Sequence, residues 1–138
     1  MTNYLRAQGT RSRAWKRLYL LVLRGLVYLR TAVISDIINV DITLPDEGDG
    51  AGPYEITLVK DLTGFHPLLE FRINVPGAGA ARIVFIEHLH EGENYLVMMR
   101  AVVKQSKNDP GFLAIRDEAQ RLLPDFLNAP HHYINTPE

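Results

Sequence analysis

Along this chain the spacing of apolar residues changes once, and that change decides which folds are open to it. Between residues 12 and 34, Trp15, Leu18, Tyr19, Val22, Leu26, Leu29 and Val33 recur mostly at steps of three and four, which lines them along one side of an α-helix. From Tyr54 onward the period is two: Leu69, Phe71, Ile73 and Val75 alternate with Glu70, Arg72 and Asn74, as on the two faces of a β-strand. One chain carrying both patterns in separate blocks is neither all-α nor all-β. It predicts an α+β domain.

Local signals refine this. Ser12 is a suitable N-cap for the helix, whereas Gly25 lies inside it and weakens it. "DIINVDITL" at 36 to 44 is compatible with a further helical turn or with a strand. "PDEGDGAGP" at 45 to 53 reads as an acidic loop dividing a helical N-terminal part (1 to 44) from a sheet-and-helix part (54 to 128). "ARIVFIEHLH" and "YLVMMRAVVK" follow the strand at Leu69 to Val75, separated by "PGAGA" and "EGEN". Short turns between consecutive strands predict an antiparallel meander. Asp109 and Pro110 then suit a helix start, with Phe112, Ile115, Ala119, Leu122 and Phe126 on one apolar face, laid across a single face of the sheet. Pro124 should stop or kink that helix. Residues 129 to 138 read as a frayed tail.

With 138 residues and 46% hydrophobic content the chain fits one domain with one core. It has no cysteine, so disulfide and thiolate chemistry are excluded, which fits a reducing cytoplasm. The run "LYLLVLRGLVYL" is broken by Arg24 and falls short of a membrane span, and "RTAVISD" lacks a cleavage signal. Net charge is −1, but residues 1 to 35 carry seven basic side chains and no acid, while residues 36 to 61 carry seven acids against Lys60. These blocks can neutralise each other within the fold, or the basic one can meet an acidic partner.

The arginines at positions 72 and 82 are harder to explain as core. Arg72 lies within one predicted strand and Arg82 near the start of the next. Around them, Lys60, Leu62 and Gly64, then Glu70 with Arg72, then Arg82 to Phe85, then Val103 with Lys104 follow in an order that resembles the RelE/HigB toxin superfamily, in particular its phage-derived Gp49-like branch. The resemblance covers roughly residues 54 to 127. It implies a small twisted antiparallel sheet packed by helices, which with the helical pattern read above gives N-terminal helices and a C-terminal helix around the meander, although the family usually opens with a strand. It implies a toxin of a type II toxin–antitoxin system that cleaves mRNA, with or without the ribosome, and is neutralised by an antitoxin carrying a DNA-binding domain. No cofactor, metal or membrane is implied.

By the same resemblance, Lys60, Arg72 and Arg82 fall where the family places basic active-site residues. Cleavage of RNA by its own 2′-hydroxyl needs a base, charge stabilisation at phosphorus and an acid for the leaving oxygen. Arg72 and Arg82 are therefore expected as phosphate clamps and Lys60 as a positioner or base, because arginine's planar fork matches phosphate. Arg100, Lys104 and Lys107 are expected to extend the RNA-facing patch. His88 and His90 share a strand face with Arg82 but read first as surface histidines. His66 reads as a turn residue, and His131 and His132 as tail residues with no third metal ligand. Two alternatives stand beside the nuclease: a toxin-fold binding protein without nuclease activity, and a ParE-type gyrase inhibitor. The sequence pI near 6.5 favours the first of these over a strongly basic RNA enzyme.

Overall fold

The computed structural model describes residues 1–9, 12–46, 52–107 and 109–132. Its helices are α1 (Thr2–Gly9), α2 (Arg13–Thr31), α3 (Ile34–Ile37) and α4 (Gly111–Asn128), and its strands are β1 (Asp41–Leu44), β2 (Tyr54–Thr57), β3 (Val59–Asp61), β4 (Leu69–Val75), β5 (Gly79–His90) and β6 (Glu93–Lys104). β3, β4, β5 and β6 form an antiparallel sheet in chain order, and β1 pairs with β2 in a separate two-stranded sheet. The fold is α+β with an antiparallel meander, as the change of period requires.

α2 begins where Ser12 caps it, its hydroxyl accepting the Trp15 amide at 3.2 Å. Its apolar side packs on the β4–β5 face that carries Phe71, Ile73, Ile83 and Phe85, all buried. Gly25 is what permits the approach: a β-carbon there would stand 2.7 Å from Phe71 Cζ. The glycine that weakens the helix by propensity is thus its closest contact with the sheet. The first residues form α1, whose Leu5 is fully buried in the same core. "DIINVDITL" proves to be both of its alternatives, since α3 ends at Ile37 and β1 begins at Asp41. Asn39, at φ 60°, makes the joint; its amide donates to Val59 O at 2.8 Å and its Oδ1 accepts the Asp61 amide at 3.1 Å.

Three expectations need correction. The segment after Leu44 joins the two strands of a hairpin, so β1 lies before the acidic loop and the β-structure starts earlier than the loop. Residues 47 to 51 of that loop lie outside the described residues. The sheet is covered on both faces, not one. α2 lies over one face, and α4 over the other, where Leu68, Val84 and Ile86 form a second cluster with Ala119 and Phe126. This follows from β5, whose run of residues 81 to 86 is buried on both sides of the strand. Third, of the stop or kink expected at Pro124 the stop does not occur, and α4 continues to Asn128. The side chain of Leu123, rather than Leu122, joins the cluster beneath it.

Two places in the meander are set by backbone conformation. Glu91 and Gly92 have φ of 51° and 81°, the pair of positive angles that a two-residue turn between twisted strands demands. At the other end Gly79, at φ 136°, brings β5 against β6 so closely that a β-carbon would lie 2.5 Å from Lys104 O. A register shift between Val84 and Phe85 reverses the side-chain alternation of β6 against β5. As a result Lys104, Val102 and Arg100 share the α4 face with Arg82 and Val84.

Candidate functional site

The antiparallel register builds the site from the floor upward. Arg72 on β4 lies directly opposite Arg82 on β5, and Glu70 lies opposite Lys60 on β3. All four side chains therefore leave the same face of the sheet, the α4 face. α4 covers the end of that face near Val84 and Ile86 and leaves the other end open. Between its first turns and the turn after β3 lies a hollow of about 390 Å³. Its floor is Glu70, Arg72 and Arg82, its rim Lys60, Asp61 and Lys104, and its walls Leu62, Thr63 and Phe65 on one side and Phe112 with Arg116 on the other.

Glu70 and Arg82 are buried, with 7% exposure each. The Arg82 guanidinium is fixed from below, Nη1 donating to Ala81 O at 2.9 Å and Ile73 O at 3.4 Å. Glu70 Oε1 serves both arginines, at 2.7 Å from Arg72 Nε and 3.6 Å from Arg82 Nε. The Arg72 contact is electrostatic only: its Nε is buried and is not aligned with Glu70 or any other acceptor for a hydrogen bond. One carboxylate thus faces two guanidinium groups. The balance shows at Arg82, whose pKa is lowered by burial first and by the Arg72 charge second, with Glu70 and Tyr54 offsetting only part. Arginine stays protonated regardless. Two guanidinium charges set against one carboxylate leave the floor with a net positive charge, a setting that suits an anion.

Tyr54 braces this floor from the small sheet. Its hydroxyl donates to Asn74 O at 2.9 Å and accepts the Asn74 amide at 2.8 Å, two residues from Arg72 on the same strand. Burial raises its pKa more than the hydrogen bond and the nearby Arg82, Arg17 and Arg72 lower it, so the phenol is kept protonated.

Of the residues singled out by sequence, Lys60, Arg72, Arg82 and Lys104 are brought together. Arg100 is on the same face but outside the hollow, held at 3.0 Å by Glu118 of α4. Lys107 is exposed beyond the end of β6 and does not line the hollow. His88 and His90 are at the opposite end of the face; His88 sits edge-on to Phe126 at 4.9 Å and His90 near Tyr95 at 6.1 Å. His66 is exposed in the turn after β3. His131 and His132 form a 3-10 turn after α4, their rings 4.3 Å apart, and Tyr133 lies outside the described residues. No group of three metal-ligating side chains occurs among the described residues, and no described helix is long and apolar enough to cross a membrane.

Sequence reasoning did not assign roles to Glu70, Tyr54 or Arg116. The Lys60, Glu70 and Arg72 pattern already contained the first, since alternate residues of one strand share a face. Tyr54 and Arg116 had no local signal, because each reaches the site across a tertiary gap. No known protein family, no characterised protein and no solved structure matches the chain.

Proposed function

We propose that this chain is a toxin-type endoribonuclease that cleaves mRNA without a metal ion and is held in check by an antitoxin partner. The observation that carries the reading is the cross-strand pair Arg72–Arg82, two guanidinium groups opposite each other on the floor of an open hollow and sharing a single carboxylate. A phosphodiester would supply the missing negative charge and accept from both forks. Lys60 and Lys104 at the rim add two mobile ammonium groups along the path of a bound strand.

In this reading the 2′-oxygen attacks phosphorus as its proton leaves to a base, and the bond from phosphorus to the 5′-oxygen breaks as that oxygen takes up a proton. Arg72 and Arg82 bind the charge that builds on the non-bridging oxygens. Lys60, at the rim, positions the strand. Glu70 acts through the arginines, its Oε1 facing both guanidinium groups and holding them by charge.

The test is induced expression of the wild type and of Arg72→Ala/Arg82→Ala, paired with cleavage of a purified transcript in the presence of a chelator. The wild type should arrest growth and cut the transcript. The double variant should cut about 10²-fold more slowly or worse, the scale of losing oxyanion stabilisation. An equally active double variant removes the arginines from the mechanism.

A second reading, a toxin-fold binder with no nuclease activity, draws on one observation: no histidine and no tyrosine line the hollow among its described residues. It predicts that the wild type binds RNA or a protein partner yet leaves transcripts intact. Early DNA damage in the same experiment would instead point to gyrase inhibition.

A further inference from the structure

Arg116 is the one cation of the hollow that comes from α4, and its setting differs from those of Arg72 and Arg82. Its guanidinium lies over the Phe65 ring, 4.1 Å from the centroid. Asp117 Oδ1 accepts from its Nε at 3.2 Å and from its Nη2 at 3.1 Å, which fixes one edge of the plane. Phe65 is itself held: it is half-buried against the Leu68 and Ala119 cluster, and its amide donates to Leu62 O at 2.9 Å. The side chain of Arg116 is nevertheless 25% exposed and lines the hollow. A planar cation supported on one face and clamped at one edge has a second face left for a partner. Planar rings stack well on such a face, because the guanidinium is weakly hydrated and delocalised.

From this geometry we infer that Arg116, backed by Phe65, is a stacking platform for a nucleobase, so that the hollow takes a nucleotide unit of single-stranded RNA rather than a bare phosphate. The inference rests on the RNA reading above and adds specificity to it. Arg116 is here a substrate-contacting specificity residue, while Arg72 and Arg82 hold the phosphate beside it. Lysine could supply the charge of Arg116 but not its plane.

The experiment compares two fluorescein-labelled probes of equal length by anisotropy: a 2′-O-methyl oligoadenylate, which cannot be cut through its 2′-oxygen, and a tetrahydrofuran-spacer strand with the same phosphates and no bases. The wild type should bind the oligoadenylate about tenfold more tightly, the scale of one stacked base. Arg116→Lys should lose that preference and bind the baseless strand as the wild type does, with its thermal midpoint checked to show that α4 remains docked. Wild type binding both probes alike, or Arg116→Lys keeping the preference or weakening both probes equally, overturns the platform while leaving the phosphate clamp intact. Failure of the wild type to bind either probe overturns the RNA reading and the platform with it.

Discussion

At the scale of single residues, the molecule is defined by a few positions where the backbone or a charge allows little choice. Gly25 is one. Its place in α2 lies against Phe71 at 2.7 Å and Leu58 Cδ1 at 3.2 Å for any added β-carbon. Gly25→Ala should raise helix propensity yet cost about 1–3 kcal/mol by overpacking, a loss that urea unfolding would measure. Retention of full stability would mean that α2 can shift on the sheet without penalty. Tyr54 is another. Its folded pKa is raised above the ordinary 10.0, mainly by burial, so its contribution to stability is intact below that value and is lost as pH rises through the folded pKa. The wild type should therefore lose stability in the alkaline range more steeply than Tyr54→Phe. Parallel alkaline unfolding curves for the two proteins would show that the phenol is not the responsible group.

Elements act through their pairing. β4 carries apolar residues on one face and Glu70, Arg72 and Asn74 on the other, β5 sets Arg82 among apolar residues, and their register sets Arg72 against Arg82. A slip of one residue in either strand would turn that strand's arginine into the α2 core, which the burial of Phe71, Ile73, Ile83 and Phe85 forbids. The positions of the arginines are thus enforced by the hydrophobic packing behind them. α4 closes the site at one end only. Its apolar residues engage the sheet from Phe112 to Phe126, and Arg100 is drawn to Glu118 instead of the hollow. Asp109 starts this element by accepting the amides of Gly111 at 2.9 Å and Gln105 at 3.1 Å. Those bonds hold its carboxyl below the usual range. The turn between β6 and α4 is therefore tied at both sides, which fixes the wall that carries Arg116.

For the whole molecule, net charge is almost nil while the hollow is locally positive. Lys60, Arg72, Arg82, Lys104 and Arg116 face Glu70 and Asp61 there. Attraction of a nucleic acid should be short-ranged, because the field of the full chain adds little beyond a Debye length. The affinity for a single strand should consequently fall with salt at a slope of about −2 to −3 in log K against log salt, as for three or four phosphates contacted. Titration of the oligoadenylate probe across ionic strength would measure it. A slope near zero would mean that the cations are not in contact with phosphates.

The alternation of Leu69 to Val75 by itself determined that Arg72 shares a face with Glu70, and the change of period determined an α+β chain with a meander. These are properties of neighbours along one strand or helix, where a fixed repeat converts spacing into direction. Packing between elements settled that α1 is a helix buried at Leu5, that both sheet faces are covered, and that Lys107 and Arg100 stand outside the hollow while Arg116 lines it and Tyr54 braces the strand beneath it. Each of those outcomes depends on the packing of residues distant in sequence, where burial of an apolar surface outweighs local propensity by several kcal/mol.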